Sequence, residues 1–368
     1  MTQHTAIRPD ATVRNMLDRL GISEYLNREG VTEVVINRPN EVFIDAGCGF
    51  ERIEDERLAL KSLEQLASAL AIYNSKHLCF EEPIHSVTLP DGERGHLMMP
   101  PSCEDKTLVF ALRKPSNSRF SLNDYIETER ITHFNDVSGS LNPDKPVTED
   151  NHINGKHFRD LADSMGLPND VPLADWQYQM LAAKANRDMD TFFKLAVAHK
   201  LNICMVGGTG SGKTTFTKAI ADLVSEDTRI ITLEDTHELS LPKHPNHVHL
   251  FFKQHITAKM LIAACMRLKP DRVFLTELRG DEAWDYLSLL NTGHPGGLTS
   301  VHANDALSVH ARIAQLAKES STGQTMDYSY ILNSVKATID IVAFFEKTRL
   351  TELYYNPVEK YRAVQGRL

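Results

Sequence analysis

The sequence predicts an α/β protein of two domains, a small α+β domain followed by a larger one built on a parallel sheet. Three observations carry this. The chain has 368 residues, more than one ordinary core holds. Before residue 114, short β-rich runs alternate apolar and polar positions, as strands of an antiparallel sheet with one solvated face do. After residue 200, short continuous apolar runs alternate with helical patterns, which implies parallel strands covered on both faces.

Taken in order, Val13, Met16, Leu17, Leu20 and Tyr25 recur at helical spacing from Ala11 to Leu26, with Gly21 interrupting. Glu33 to Asn37 and Glu41 to Asp45 read as strands joined through Arg38-Pro39-Asn40, a hairpin. Leu58 to Tyr73 stacks Leu63, Leu66, Ala67, Leu70 and Ala71 on one helical face. Ser86 to Leu89 and Gly95 to Met99 flank the turn signal Pro90-Asp91-Gly92, and Thr107 to Arg113 sends Leu108, Phe110 and Leu112 to one side. Residues 1–114 therefore form the N-terminal α+β domain. Residues 115–175 are polar and punctuated by five prolines, and they read as a linker carrying one or two short helices. The second domain spans 176–368, with strands expected at Ile203 to Val206, Ile230 to Leu233, Val273 to Leu275 and Leu298 to Val301.

Composition excludes several classes. At 42% hydrophobic and 24% charged residues, the chain is too apolar to be disordered. A net charge of −9 without a polybasic block argues against general nucleic-acid binding, and no sequence-specific binding is expected. Five dispersed cysteines without a C-x-x-C pair point to a reducing compartment, with no disulfide framework and no structural zinc. The N-terminus lacks a secretory leader, and no run of 18 apolar residues occurs, so a cytoplasmic location with peripheral membrane contact is expected.

The chemistry concentrates in four places. Directly after Ile203-Cys204-Met205-Val206 stands Gly207-Gly208-Thr209-Gly210-Ser211-Gly212-Lys213-Thr214-Thr215, a complete G-x-x-x-x-G-K-[ST] loop opening into a helical pattern. Its glycines let backbone N–H groups cradle phosphates, and the helix N-terminus adds a positive end. ATP and Mg²⁺ are the expected ligands, with Lys213 reaching the β- and γ-phosphates and the Thr214 hydroxyl on the metal. The second and third places are Glu234-Asp235 and Glu277, carboxylates ending apolar strands at the sheet edge where ligands sit. Alone, such an acid more often caps the next helix. Downstream of this loop, each is a candidate for the Mg²⁺ shell or for orienting the attacking water. His302, the fourth, ends the Leu298 to Val301 run on the same edge, within reach of a γ-phosphate. His247 and His249 alternate on a strand but make a weak metal pair, lacking a nearby cysteine or carboxylate triad.

The loop, then Leu233-Glu234-Asp235-Thr236-His237-Glu238-Leu239, Leu275-Thr276-Glu277-Leu278-Arg279-Gly280 and Thr299-Ser300-Val301-His302-Ala303-Asn304, resemble the Walker A, Asp-box, Walker B and His-box of secretion ATPases. The order is similar to that of the traffic ATPases of type IV secretion systems, the VirB-eleven type. Gly92-Glu93-Arg94 and Ala111-Leu112-Arg113-Lys114-Pro115 resemble that family's arginine-bearing N-terminal strands. The resemblance implies a RecA-like P-loop ATPase domain, and catalytic parts for Glu234, Glu277, His302, Arg94 and Arg113, with the base left open between Glu234 and Glu277. It also implies a homo-hexameric ring, docked on other secretion-system components at the cytoplasmic face of the inner membrane, that powers substrate translocation or pilus assembly. Two alternatives compete, one from the same superfamily and one from another functional class. One is a type II or type IV pilus assembly ATPase, disfavoured by the missing four-cysteine insertion; the other is a nucleotide-gated scaffold with negligible hydrolysis. A helicase is disfavoured by the acidic balance and scarce aromatics. If residues 116–175 were a flexible coil they would span roughly 45 Å, enough to dock each N-terminal domain on a neighbouring subunit.

Overall fold

The computed structural model describes residues 10–47, 49–114, 119–139, 141, 164–253 and 255–366. They form two compact units that divide between Asn117 and Ser118.

In the first unit, the opening helical pattern splits into α1 (Ala11–Arg19) and α2 (Ile22–Leu26), because Gly21 takes a left-handed φ of 72°. Six strands follow: β1 (Glu33–Ile36), β2 (Glu41–Asp45), β3 (Phe50–Glu54), β4 (Ile84–Thr88), β5 (Arg94–Met98) and β6 (Val109–Arg113). They make one antiparallel sheet in the order β3-β2-β1-β6-β5-β4. Val34, Ile36, Val42, Ile44, Leu97, Phe110 and Leu112 alternate inward and pack with Leu63, Leu66 and Leu70 of α3 (Leu60–Tyr73). Strand β3 escapes the sequence reading because it is exposed along nearly its whole length and shows no alternation. Arg94 and Arg113 stand directly opposite one another on β5 and β6, and Arg113 is also paired in register with Glu33.

The second unit holds an eight-stranded sheet. Its strands are β7 (Asn135–Asp136), β8 (Ile203–Val206), β9 (Ile230–Glu234), β10 (His247–Phe251), β11 (Arg272–Leu275), β12 (Leu298–Val301), β13 (Ile341–Glu346) and β14 (Arg349–Tyr355). Their order is β10-β9-β11-β12-β8-β13-β14-β7, with antiparallel pairing only between β13 and β14. The apolar runs are continuous because both faces are covered. Ile203 and Met205 enter one core while Cys204 and Val206 enter the other, and Phe274 faces away from Val273 and Leu275 in the same way.

The reading of 115–175 as a linker changes here. Residues 119–139 carry α4 (Leu122–Glu127) and β7, and Leu122, Tyr125, Ile131 and Phe134 are buried in the second unit's core. Met165, Leu167 and Val171 enter the same core, while 142–163 lie outside the described residues. The anchors are single apolar residues among polar ones, so no period announces them. A 60-residue coil is therefore absent, and docking on a neighbouring subunit loses the reach argument that suggested it.

Candidate functional site

Helices α5 (Asp175–Ala185) and α6 (Met189–Ala198) precede β8, and the phosphate loop joins β8 to α7 (Lys213–Ala221). Gly207 must be glycine twice over, since its φ is 140° and a Cβ there would lie 2.2 Å from the Phe345 carbonyl oxygen of β13. Gly212 caps the helix at φ 95°, and a Cβ there would lie 3.3 Å from the Thr348 Cα. Gly208 and Gly210 instead face open space, with Thr209 exposed between them. Lys213 is buried, and its Nζ donates to the carbonyls of Gly207 and Gly208, each at 2.7 Å. The Ser211 hydroxyl is buried without a hydrogen-bond partner among the described residues. A buried hydroxyl, a buried ammonium and a helix N-terminus around an open glycine loop fit a phosphate chain. Thr214 donates its hydroxyl to Glu238 Oε2 at 3.2 Å, and Thr215 follows half-buried in the first turn.

The opposite wall comes from the carboxyl ends of β9, β11 and β12. Glu277 accepts from Arg279 Nη2 at 2.6 Å on one oxygen and lies 3.1 Å from His302 Nε2 on the other. Arg279 also donates to Asp235 at 2.9 Å. Its bond to Glu277, with the nearby Asp235, keeps the guanidinium firmly protonated. Burial pulls the His302 pKa below the ordinary 6.5, and the charge of Lys213 pulls it further, against a smaller upward pull from Glu277. His302 is thus neutral at pH 7, with a hydrogen bond to the backbone of Gly207 that ties this wall to the loop. The structure brings Glu277 beside His302, and His302 within electrostatic reach of Lys213.

Glu234 is placed differently. Its carboxylate is fully buried, with Oε2 accepting from the Glu238 and Leu239 amides at 2.8 and 3.0 Å, and Oε1 accepting from the Thr232 hydroxyl at 2.7 Å. Burial pushes its pKa up, but His249, these amides and the Thr232 hydroxyl together bring it below the usual carboxylate value. Sequence reasoning left Glu238 and Arg279 unassigned although both stand inside quoted motifs. The usable signal was that Glu238, four residues after Glu234, ends the same acidic turn. Arg94 and Arg113 belong to the first unit, where Arg113 Nε lies 3.9 Å from Glu33.

The family described as Type II/IV secretion system protein matches residues 173–345. A type IV secretion system protein VirB11 of Bartonella henselae is 33% identical over 377 aligned residues, covering all of both chains. The Brucella suis VirB11 is 31% identical over 96% of this chain and 93% of its own. The crystal structure of the VirB11 ATPase from the Brucella suis system, in complex with sulphate, covers 97% of this chain and 98% of its own at 32% identity and a TM-score of 0.51. The pilus retraction motor PilT with bound ADP shares the fold at 14% identity and a TM-score of 0.56. No helix among the described residues is long and apolar enough to cross a membrane. With four motifs in order, their residues converging on one sheet edge, and end-to-end likeness at a third identity, this chain belongs to the VirB11 family of type IV secretion system proteins.

Proposed function

We propose that the chain is an Mg²⁺-dependent ATP hydrolase, working as a homo-hexamer at the cytoplasmic face of the inner membrane to power type IV secretion or pilus assembly. The observation that carries this reading is the convergence of Lys213, Glu277 and His302 at the mouth of the glycine loop. The strand order around β8 supports a RecA-like motor. The loop amides and the α7 N-terminus take the phosphates, and Lys213 exchanges the Gly207 and Gly208 carbonyls for β- and γ-phosphate oxygens. Thr214, with Glu238 beside it, would hold Mg²⁺, which when bound neutralises phosphate charge. Glu277, fixed by Arg279, orients the attacking water and accepts its proton. Neutral His302 donates toward the γ-phosphate or returns to Glu277, which lets it report hydrolysis. Glu234 is the buried post that shapes the acidic turn. Arg94 and Arg113, side by side on one face, supply paired positive charge for a phosphate.

A steady-state ATPase assay on Lys213→Ala tests the reading. The variant is expected to keep its fold by circular dichroism and to lose turnover. Wild-type turnover from the folded variant would remove the glycine loop from the chemistry.

A further inference from the structure

We propose that Glu234, His237 and His249 form a binding site for a Zn²⁺-class transition-metal ion, separate from the Mg²⁺–nucleotide site and independent of the hydrolase reading. The sequence offered His247 and His249 as a pair without a carboxylate, and the fold supplies one. Strands β9 and β10 run parallel with His249 opposite Thr232, so the His249 ring lies beside the end of β9, where Glu234 stands. The turn after β9 brings back His237, whose ring centroid is 4.4 Å from that of His249.

Glu234 Oε1 lies 3.2 Å from His249 Nδ1 and 3.5 Å from His237 Nδ1, and one ligand atom from each of the three residues lies within 4.8 Å of the others. Zinc–nitrogen and zinc–oxygen bonds of about 2.0–2.1 Å at tetrahedral angles put neighbouring ligand atoms about 3.4 Å apart. The separations of 3.2 and 3.5 Å bracket that edge, so the carboxylate already stands at ligand distance from both imidazoles. His247 stacks on His249 at 4.7 Å with its Nδ1 on the His244 carbonyl, so of the sequence pair it is His249 that faces Glu234.

The supporting shell is built as well. Glu234 Oε2 is held by the Glu238 and Leu239 amides, so that Oε1 is the oxygen turned toward both imidazoles. The Thr232 hydroxyl, which donates to Oε1, fixes that oxygen from the other side. His249 Nδ1 also lies 2.7 Å from the Thr232 hydroxyl oxygen, so an ion taking Nδ1 displaces that contact and requires the ring proton on Nε2. One carboxylate and two imidazoles are donors for zinc, cobalt or nickel and poor ones for Mg²⁺. The side chain of His237 is half-exposed, which gives an entry path and a fourth position for water. An ion here would brace the turn from Glu234 to Leu239, which presents Glu238 to Thr214.

The test uses Co²⁺ and then Zn²⁺ on the full-length protein in millimolar Mg²⁺ without nucleotide. One equivalent of Co²⁺ is expected to give the intense visible absorption of a four-coordinate site, displaced by Zn²⁺. His237→Ala and His249→Gln should each bind at least tenfold more weakly while keeping the wild-type thermal midpoint. His249→Gln retains a hydrogen-bonding group for Thr232, so loss of binding without loss of stability separates ligation from structure. Wild-type protein that shows only the faint spectrum of aqueous Co²⁺, or affinity unchanged in the His237→Ala/His249→Gln double variant, overturns the site and leaves the histidines as hydrogen-bond partners of Glu234.

Discussion

At the scale of single residues, the two acids that sequence left equivalent are separated by their surroundings. Glu234 is fully buried with both oxygens engaged, whereas Glu277 is partly open and flanked by Arg279 and His302. Glu277→Gln keeps volume and hydrogen bonding but cannot accept a proton. It is expected to bind ATP and turn over at least about tenfold slower; failure to bind ATP would reassign Glu277 to a structural part. A second residue prediction concerns stability. His310 is buried edge-on against the Tyr354 ring at 4.9 Å, and burial pushes its pKa down to about 4 from the ordinary 6.5. The unfolded chain then binds the extra proton first, so this contribution is full above pH 6.5 and is lost as pH falls toward 4. Between pH 7 and pH 5, urea unfolding should show roughly 2 kcal/mol lost through this group, at about 1.4 kcal/mol per pH unit below 6.5. His310→Gln should flatten that part of the profile, and an unchanged slope would clear His310.

At the scale of elements, the segment 119–139 and the β13–β14 hairpin were the least legible. The hairpin turn places Lys347 and Thr348 at φ 45° and 64°, where glycine or asparagine usually stands, so no turn signal marks it. Tertiary contacts hold it there: the Thr348 amide donates to the Ser211 carbonyl at 3.1 Å, and Arg130 donates to the Thr348 hydroxyl at 3.2 Å. The turn thus clamps the phosphate loop from the far side, and Arg130 links it to the segment read as a linker. That segment is anchored by Tyr125, edge-on to Phe216 of α7 with centroids 5.1 Å apart. Tyr125→Ala should cost about 3 kcal/mol, the low end for emptying an aromatic site in a packed core. Denaturant unfolding of the whole chain checks this. A loss below about 1 kcal/mol would mean that 119–139 is a surface attachment after all.

At the scale of the whole molecule, the proposed function calls for a ring that one chain does not contain. If the ring is the working state, specific ATPase activity should fall on dilution below the assembly concentration, in step with the mass seen by light scattering. Activity per chain that stays constant while the mass drops to that of a monomer would favour a self-contained hydrolase. The proposed metal site adds an independent measure, because its three ligands lie within one chain.

The P-loop, both acids, His302 and the parallel strands were legible in sequence because each is a local pattern: a glycine spacing, an apolar run, an acid at its end. Tertiary structure alone decided which acid is buried, that Glu238 meets Thr214, and that His237 and His249 converge on Glu234. Those facts depend on which strands lie side by side. Residues 15 positions apart, such as Glu234 and His249, come within 3.2 Å only because β10 adds itself in parallel to β9. Such pairing is set by burial across the whole sheet rather than by any local period.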